Sequence, residues 1–183
     1  RLAAEELGPT FVKLGQLLSM RPDVVPHDIV LELRKLQDRV KPLPFETMRP
    51  VLERALGRPP AEVFAEFDET AVASASLAQV YFARRRETGE PVAVKIQKPD
   101  LQRRMEIDFD LACWLAGLLQ ERIAALRTVD LVAVIDEARG AILRELDFRH
   151  EAHNQEYFNT FNPHPERVFA PKVIHELSSE CVL

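Results

Sequence analysis

One lysine within an apolar run is the residue of this sequence that points most clearly to chemistry. The run, Val92-Ala93-Val94-Lys95-Ile96, is typical of a β-strand. An ammonium group on such a strand requires a counter-charge, because burying an unpaired charge is costly. A lysine held in this way could fix the phosphates of a nucleotide, but the run alone fits an edge-strand lysine that reaches solvent equally well.

Carboxylates further along the chain are candidates for the counter-charge. Asp147 and Glu151 are four residues apart, so they share one face of a predicted helix. Glu145 lies roughly 160° around the helix from Asp147 and faces elsewhere unless the helix kinks. The alternative is a solvated charged face in which Arg144 and Arg149 are the local partners.

Two further segments are unusual for their predicted positions in the chain. Ala73 to Val80, with the sequence ASASLAQV, consists mostly of small residues that let a backbone approach a phosphate, although alanine lacks the freedom of glycine to adopt positive φ. Gly15 interrupts a predicted amphipathic helix, where glycine costs about 1 kcal/mol relative to alanine, and so indicates close packing. The alternatives are a small-residue turn and a helix with a tolerated glycine.

A metal site is not predicted. His150 and His153 flank Glu151, but the spacing differs from H-E-x-x-H and no third ligand lies nearby in sequence. We therefore interpret the pair as part of an exposed helix face.

The elements that must position these residues follow from the apolar periodicity. In chain order we predict helices at about 10–18, with Thr10 as the cap, 26–36 and 45–56, strands between about 67 and 97, helices at about 99–123 and 131–158, and two short strands within 171–183. This order is typical of an α+β domain with a small antiparallel sheet.

Composition limits the function classes. The 183 residues are 46% hydrophobic and 29% charged, which is typical of a folded globular chain, and the net charge of −5 disfavours nucleic-acid binding. Two cysteines without a spaced framework suggest a reducing compartment. Six glycines, with neither G-x-G-x-x-G nor G-x-x-x-x-G-K-[ST], argue against a glycine-rich phosphate loop. Since the sequence starts without Met and stops in an apolar run, we expect it to belong to a longer chain.

Four landmarks in register resemble the N-terminal part of the UbiB (ADCK-type) family of atypical kinase-like proteins. Lys13-Leu14-Gly15-Gln16 is similar to the K-x-G-Q motif of the family, and Ala73 to Val80 to the alanine-rich loop that replaces the kinase glycine-rich loop. Val92 to Lys95 resembles the strand that bears the kinase lysine. Glu145-Leu146-Asp147 resembles the E-x-D motif, and Glu151 falls where the kinase helix glutamate would lie.

The resemblance implies a protein-kinase-like N-lobe at 66–183, ending in a final hairpin before the hinge, with a helical extension at 1–65. It implies that Lys95 contacts the nucleotide phosphates and pairs with Glu151, both as catalytic residues. It also implies that ATP is the cofactor, with its Mg²⁺ ligands outside this chain. The implied nucleotide contacts besides Lys95 are Ala73, Ser74, Ala75, Ser76, Leu77, Ala78, Gln79 and Gln16. The implied motif residues are Lys13, Gly15, Gln16, Glu145 and Asp147, with Lys13 near the two acids.

The resemblance implies an atypical kinase or ATPase that supports ubiquinone biosynthesis at the cytoplasmic side of a membrane, either peripheral or anchored through segments outside this chain. The implied partners are a nucleotide, lipid or quinone-pathway proteins and the remainder of the kinase-like domain.

The catalytic-loop residues and the D-F-G aspartate are expected downstream, so we expect this chain alone to be inactive. The alternatives are a non-catalytic kinase-like module that binds nucleotide, lipid or protein, and a helical scaffold whose charges form only structural pairs.

Overall fold

The computed structural model describes residues 2–23, 25–36, 40–123 and 129–183. In chain order its elements are α1 (Leu2–Leu7), α2 (Pro9–Leu18), α3 (His27–Leu33), α4 (Phe45–Leu56), α5 (Pro60–Val63), β1 (Phe64–Phe67), β2 (Ala73–Ser74), β3 (Ala78–Arg85), β4 (Pro91–Gln97), α6 (Leu101–Arg122), α7 (Leu131–Glu145), α8 (Phe148–Phe161) and a 3-10 helix (His175–Leu177). This mixture of helices and an antiparallel sheet confirms the predicted α+β class.

The chain forms two compact units, each assembled from two separate segments. The helical unit comprises the described residues of 1–39 and 100–143, and the sheet unit comprises residues 40–99 and 144–183. The predicted domains, 1–65 and 66–183, are a division by motif along the chain, and they stay a prediction.

The sheet of the sheet unit is built around β3, which pairs antiparallel with β1, β2 and β4. In the register between β3 and β4, Val80 lies opposite Lys95 and Tyr81 lies opposite Val94. Because side chains alternate between the faces of a strand, Tyr81 and Val94 belong to one face, and Val80 and Lys95 to the other.

The core of the sheet unit lies between α4 and one face of this sheet. Met48 and Leu52 of α4 are completely buried, as are Tyr81 and Ile96 of the strands, and all four belong to one apolar cluster. The helix ends at Leu56 and is capped by Gly57, whose φ of 68° is left-handed and favours glycine. Lys95 therefore lies on the opposite face of the sheet, the one that does not pack against α4.

The helical unit joins α2 to α6 through a polar contact. The Thr10 hydroxyl is buried and donates a hydrogen bond of 2.5 Å to Asp108 of α6. The prediction that Thr10 caps the first helix is wrong, because α2 begins at Pro9 with Gly8 as its N-cap residue. A second close approach occurs at Gly15, which faces Leu33 and Leu36.

Two further predicted elements differ from the structure. The single helix predicted at 131–158 is divided into α7 and α8, because Asp147 leaves helical geometry to cap α8. The final hairpin predicted within 171–183 is also wrong. The segment contains a 3-10 helix, and Val182 bridges Ile96 of β4, so the last residues pair with the edge of the existing sheet.

None of the helices in the described ranges combines the length and the hydropathy that a membrane-spanning helix needs.

Gly15 provides a test of the packing in the helical unit. A Cβ at this position would lie 2.5 Å from Cδ1 of Leu36, a flexible terminal atom that can move. For Gly15→Ala we expect a change in the free energy of unfolding within about 1 kcal/mol, since the gain in helix propensity offsets the contact. Gly15→Val should cost about 1–3 kcal/mol through overpacking. Urea unfolding checks both, and equal stability of the two variants would contradict a close approach.

Candidate functional site

An ion pair on the face of the sheet opposite α4 is the centre of the candidate site. The Lys95 ammonium lies 2.5 Å from the Glu151 carboxylate of α8, and the two side chains are 30% and 40% exposed. The same ammonium lies 4.6 Å from the ring centroid of Phe148, within reach of a cation–π interaction. A charge this accessible can still be approached by an anion from solvent. The catalytic roles of Lys95 and Glu151 stay predictions.

The first turn of α8 positions Glu151. Asp147 is the N-cap residue of this helix, and its carboxylate accepts a hydrogen bond of 3.0 Å from the backbone N–H of Arg149. The side chain of Arg149 also donates to this carboxylate, and that hydrogen bond holds the pKa of Asp147 below its ordinary value. Asp147, the second acid of the E-x-D motif, is thus a helix cap four residues before Glu151.

Two contacts from other elements fix the start of α8. Gln97, two residues after Lys95 on the same face of β4, donates from its side-chain amide to the Leu146 carbonyl over 2.7 Å. The backbone N–H of Phe148 donates to the Glu180 carbonyl over 2.9 Å. The lysine strand and the glutamate helix are therefore connected by more than the ion pair.

The backbone of Lys95 is held by the last residues of the chain. Its N–H donates to the Leu183 carbonyl over 2.7 Å, and the N–H of Leu183 donates back over 3.0 Å. The N–H of Gln97 donates to the Cys181 carbonyl over 2.9 Å. Residues 181–183 therefore extend the sheet beyond β4 and fix the strand from which the lysine projects.

Apolar side chains adjoin the lysine on the same face of the sheet. Val80 lies directly opposite Lys95 in the register, and Ala93 precedes Lys95 by two residues. A cavity of about 540 Å³ is lined by these residues together with Glu151, Val173 and Leu177. Val80 and Ala93 were not predicted as site residues, although the two-residue period of the strand already placed Ala93 on the face of Lys95.

The alanine-rich segment forms a tight hairpin. Ala73 and Ser74 of β2 pair with Val80 and Gln79 of β3, and the N–H of Ala75 donates to the Ala78 carbonyl over 2.9 Å. Residues 73–80 all lie in the described part of the chain, and none of them has a positive φ. The turn therefore does not require glycine, which explains how alanine occupies it without backbone strain.

The residues of this segment differ in accessibility. Ala73 is exposed, Ser74 and Ala75 are half-buried, and the segment from Ser76 to Gln79 is buried. Contact of these residues with a nucleotide stays a prediction.

Gln79 has structural partners within the sheet unit. Its side-chain oxygen accepts from the N–H of Leu43 over 2.6 Å, and its side-chain nitrogen donates to the Leu43 carbonyl and to the Tyr81 hydroxyl. Burial raises the pKa of the Tyr81 phenol, and the hydrogen bond from Gln79 partly offsets this effect. The predicted nucleotide contact of Gln79 is untested, but its amide joins the segment before α4 to β3.

The K-x-G-Q and E-x-D motifs lie in different units. Lys13, Gly15 and Gln16 belong to α2 of the helical unit. Glu145, the last residue of α7, and Asp147, the N-cap residue of α8, belong to the sheet unit. The predicted proximity of Lys13 to the two acids, and of Gln16 to the nucleotide, stays a prediction.

Within the described ranges, no group of three or more His, Cys, Asp or Glu side chains is arranged to hold a metal ion. His150 and His153 are exposed on α8.

The capping role of Asp147 can be tested directly. Asp147→Ala should destabilise the protein by about 1 kcal/mol, because it leaves the backbone N–H of Arg149 in the first turn of α8 without its side-chain acceptor. Asp147→Asn, which retains a side-chain oxygen acceptor, should recover most of this stability. Urea unfolding of the two variants makes the comparison at neutral pH, and equal losses would contradict the cap.

The pKa of Asp147 gives this prediction a pH dependence. Since the pKa is lowered in the folded state, the contribution of the carboxylate is present above its ordinary value of 3.8 and is lost as the pH falls through the folded value. The difference in stability between wild type and Asp147→Asn should therefore shrink on acidification below about pH 4.

Comparison with known proteins shows the family of the chain. The profile of the ABC1 atypical kinase-like domain matches residues 35–183. A "probable protein kinase UbiB" of Xanthomonas campestris pv. campestris is 40% identical over 100% of this chain and 34% of the relative. A protein of the same name from Aeromonas salmonicida is 39% identical, again over 100% of this chain and 34% of the relative. The chain spans about a third of the length of these curated relatives.

A solved structure supports the same assignment of the fold. The complex of Rv3197 with erythromycin, from Mycobacterium tuberculosis, is similar to this chain with a TM-score of 0.57 and 31% sequence identity. The similarity covers 92% of this chain and 42% of that one. The ion pair between Lys95 and Glu151 and the alanine hairpin thus occur in a kinase-like fold, and the chain belongs to the ABC1 atypical kinase-like family as a UbiB-like member.

Proposed function

We propose that this chain is the ATP-binding N-lobe, with its helical extension, of an atypical kinase or ATPase that supports ubiquinone biosynthesis. The observation that carries the proposal is the ion pair between Lys95 and Glu151. This pair is half-exposed and lies beside Val80 and Ala93, on the face of the sheet opposite α4. A cation next to an apolar surface matches the two parts of a nucleotide, because its phosphates are anionic and its base is flat and largely apolar.

The chemistry assigned to each residue follows from its type. The Lys95 ammonium would bind phosphate oxygens, and Glu151 would orient that ammonium by charge and hydrogen bonding. Val80 and Ala93 would pack against the base. ATP bound with Mg²⁺ would supply the phosphoryl group, and we propose that the Mg²⁺ ligands and the catalytic base come from outside this chain. The residues here would bind and orient the nucleotide, and positioning of the phosphates is one of the two main contributions to the catalysis of phosphoryl transfer.

The wider role rests on the family. Relatives carrying the name UbiB support a function in ubiquinone biosynthesis. We propose lipid or quinone-pathway proteins as the partners. We place the protein at the cytoplasmic side of a membrane, attached through segments outside this chain. No nucleic-acid partner is proposed, in keeping with the net charge of −5.

Replacing the site lysine tests nucleotide binding. In the protein that carries this chain, Lys95→Met should weaken the binding of Mg·ATP by about tenfold or more, since it removes the charged contact to phosphate. Lys35→Met is the matched control, because it removes the same charge from an exposed residue of the helical unit. Calorimetric titration with Mg·ATP provides the dissociation constants.

Each outcome of this titration has a distinct meaning. Unchanged affinity in Lys95→Met would contradict the proposed site and favour a scaffold whose charges form structural pairs. Lysine-dependent binding without any turnover of ATP would favour a non-catalytic nucleotide-binding module.

The hairpin offers a second test of nucleotide binding. Ala75→Gly should cost about 0.5–1 kcal/mol in stability, because glycine loses more backbone freedom on folding. It should also change the affinity for Mg·ATP relative to Mg·ADP, since the loosened turn adjoins the proposed phosphate site. Ala65→Gly, at an exposed position of β1 in the same sheet, is the control that should lower stability alone. Unchanged affinities in Ala75→Gly would count against the assignment of the hairpin.

A further inference from the structure

We propose that Lys98 is a positioning residue that fixes the alanine hairpin in the shape required for binding nucleotide phosphates. The proposal rests on the proposed function, because it assigns a role within the same site. Lys98 follows the last residue of β4 directly and is half-buried. The resemblance to the UbiB family includes the sequence Lys95-Ile96-Gln97-Lys98-Pro99, but it implied no role for Lys98 itself.

Lys98 holds the turn of the hairpin at both of its ends. Its side-chain ammonium donates to the Ala75 carbonyl over 2.6 Å, and its backbone N–H donates to the Leu77 carbonyl over 2.9 Å. A hydrogen bond donated by a charged group is roughly twice as strong as one between neutral groups. One residue therefore fixes the first and the last peptide carbonyl of the three-residue turn.

These hydrogen bonds determine the direction of the turn dipoles. The carbonyl of Ala75 points at Lys98, and in a trans peptide the N–H of the following residue points the opposite way. The negative end of the peptide dipole at Ala75 thus faces the ammonium of Lys98, and that at Leu77 faces the backbone N–H of the same residue. An anion is favoured on the side from which carbonyl oxygens are turned away.

The position of Lys98 also fixes the hairpin relative to the site lysine. Lys95 and Lys98 are three residues apart, the first within β4 and the second immediately after it. The strand is rigid in this region because the backbones of Lys95 and Gln97 pair with Leu183 and Cys181. The distance between the site ammonium and the turn is therefore set by a short, hydrogen-bonded segment, and Lys98 provides its contact with the turn.

An alanine hairpin benefits from such an anchor. A glycine-rich loop can adjust its backbone around a bound phosphate, whereas the φ values of residues 73–80 stay in the region open to any residue. A turn that adapts less must be preset. The hydrogen bond of 3.3 Å from the N–H of Val40 to the Ser74 carbonyl holds the adjacent strand in addition.

The test compares Lys98→Met with Lys98→Arg in the protein that carries this chain. Methionine keeps the apolar stem but removes the ammonium donor, whereas arginine keeps both a charge and a donor. Neither substitution removes the backbone N–H of Lys98. Lys35→Met again provides the charge control. The readouts are the affinity for Mg·ATP, hydrogen–deuterium exchange of the amides at 75–78, and the thermal midpoint, which reports whether each variant folds.

We expect Lys98→Met to exchange the amide of Ala75 about tenfold faster and to bind Mg·ATP about tenfold more weakly, as loss of one hydrogen bond would produce. Lys98→Arg should stay within about threefold of wild type in both measurements, and Lys35→Met should change neither. If Lys98→Met fails to fold, Lys98→Gln, which keeps a polar donor but is too short to reach the carbonyl, replaces it.

Two results would overturn the inference. Unchanged exchange at 75–78 in Lys98→Met, with weaker binding that depends less on salt, would show that Lys98 acts directly on the phosphates. Unchanged exchange and unchanged affinity would show that Lys98 has no role in the site. If wild type binds no Mg·ATP, the proposed function fails, while the exchange measurement still decides whether Lys98 fixes the turn.

Discussion

The ammonium of Lys95 imposes the constraint on which the sheet unit depends. A partly buried lysine on the face of the sheet opposite α4 needs a carboxylate as its counter-charge. Glu151, 56 residues later in the chain, supplies it. An ion pair this exposed contributes at most about 1 kcal/mol to stability, so stability does not explain the arrangement. Its value lies in orientation. Gln97 and the cap at Asp147 hold the helix so that the carboxylate meets the ammonium, and both charges stay accessible to a ligand.

The alanine hairpin satisfies a different constraint by similar means. The shortage of glycine first argued against any phosphate loop, because such loops commonly need positive φ. The structure removes that objection, since residues 73–80 reach their positions without left-handed conformations. The shape is instead maintained by contacts from outside the turn, from Lys98 and Val40. Glycine supplies adaptability, and this hairpin replaces it with external hydrogen bonds.

What the sequence could predict depended on how local the determining contacts are. The strand that bears Lys95 could be predicted from its apolar, β-branched neighbours. The need for a counter-charge pointed to the carboxylates of Asp147 and Glu151. The end of α7 was missed because its apolar period continues to Leu146, whereas the carbonyl of Leu146 at the break accepts a hydrogen bond from Gln97, 49 residues away in sequence. The final hairpin was wrong for a related reason, since Val182 pairs with Ile96 of β4 and not with a neighbouring strand. The partners of Gln79 lie 36 residues upstream, so its structural role was equally hidden.

The contacts that fix the site lie close to the two points where the chain passes between the units. The chain leaves the sheet unit after Pro99 and re-enters it at Arg144, so residues 100–143 separate the lysine strand from the glutamate helix. The hairpin anchor Lys98 lies immediately before the exit, and the cap residue Asp147 lies immediately after the re-entry. An insertion between two halves of a site would loosen it if the flanking residues were unrestrained. Hydrogen bonds on both sides of the insertion remove that freedom. Asp147, the second acid of the E-x-D motif, therefore lies at the point where the returning chain must be fixed so that Glu151 can pair with Lys95.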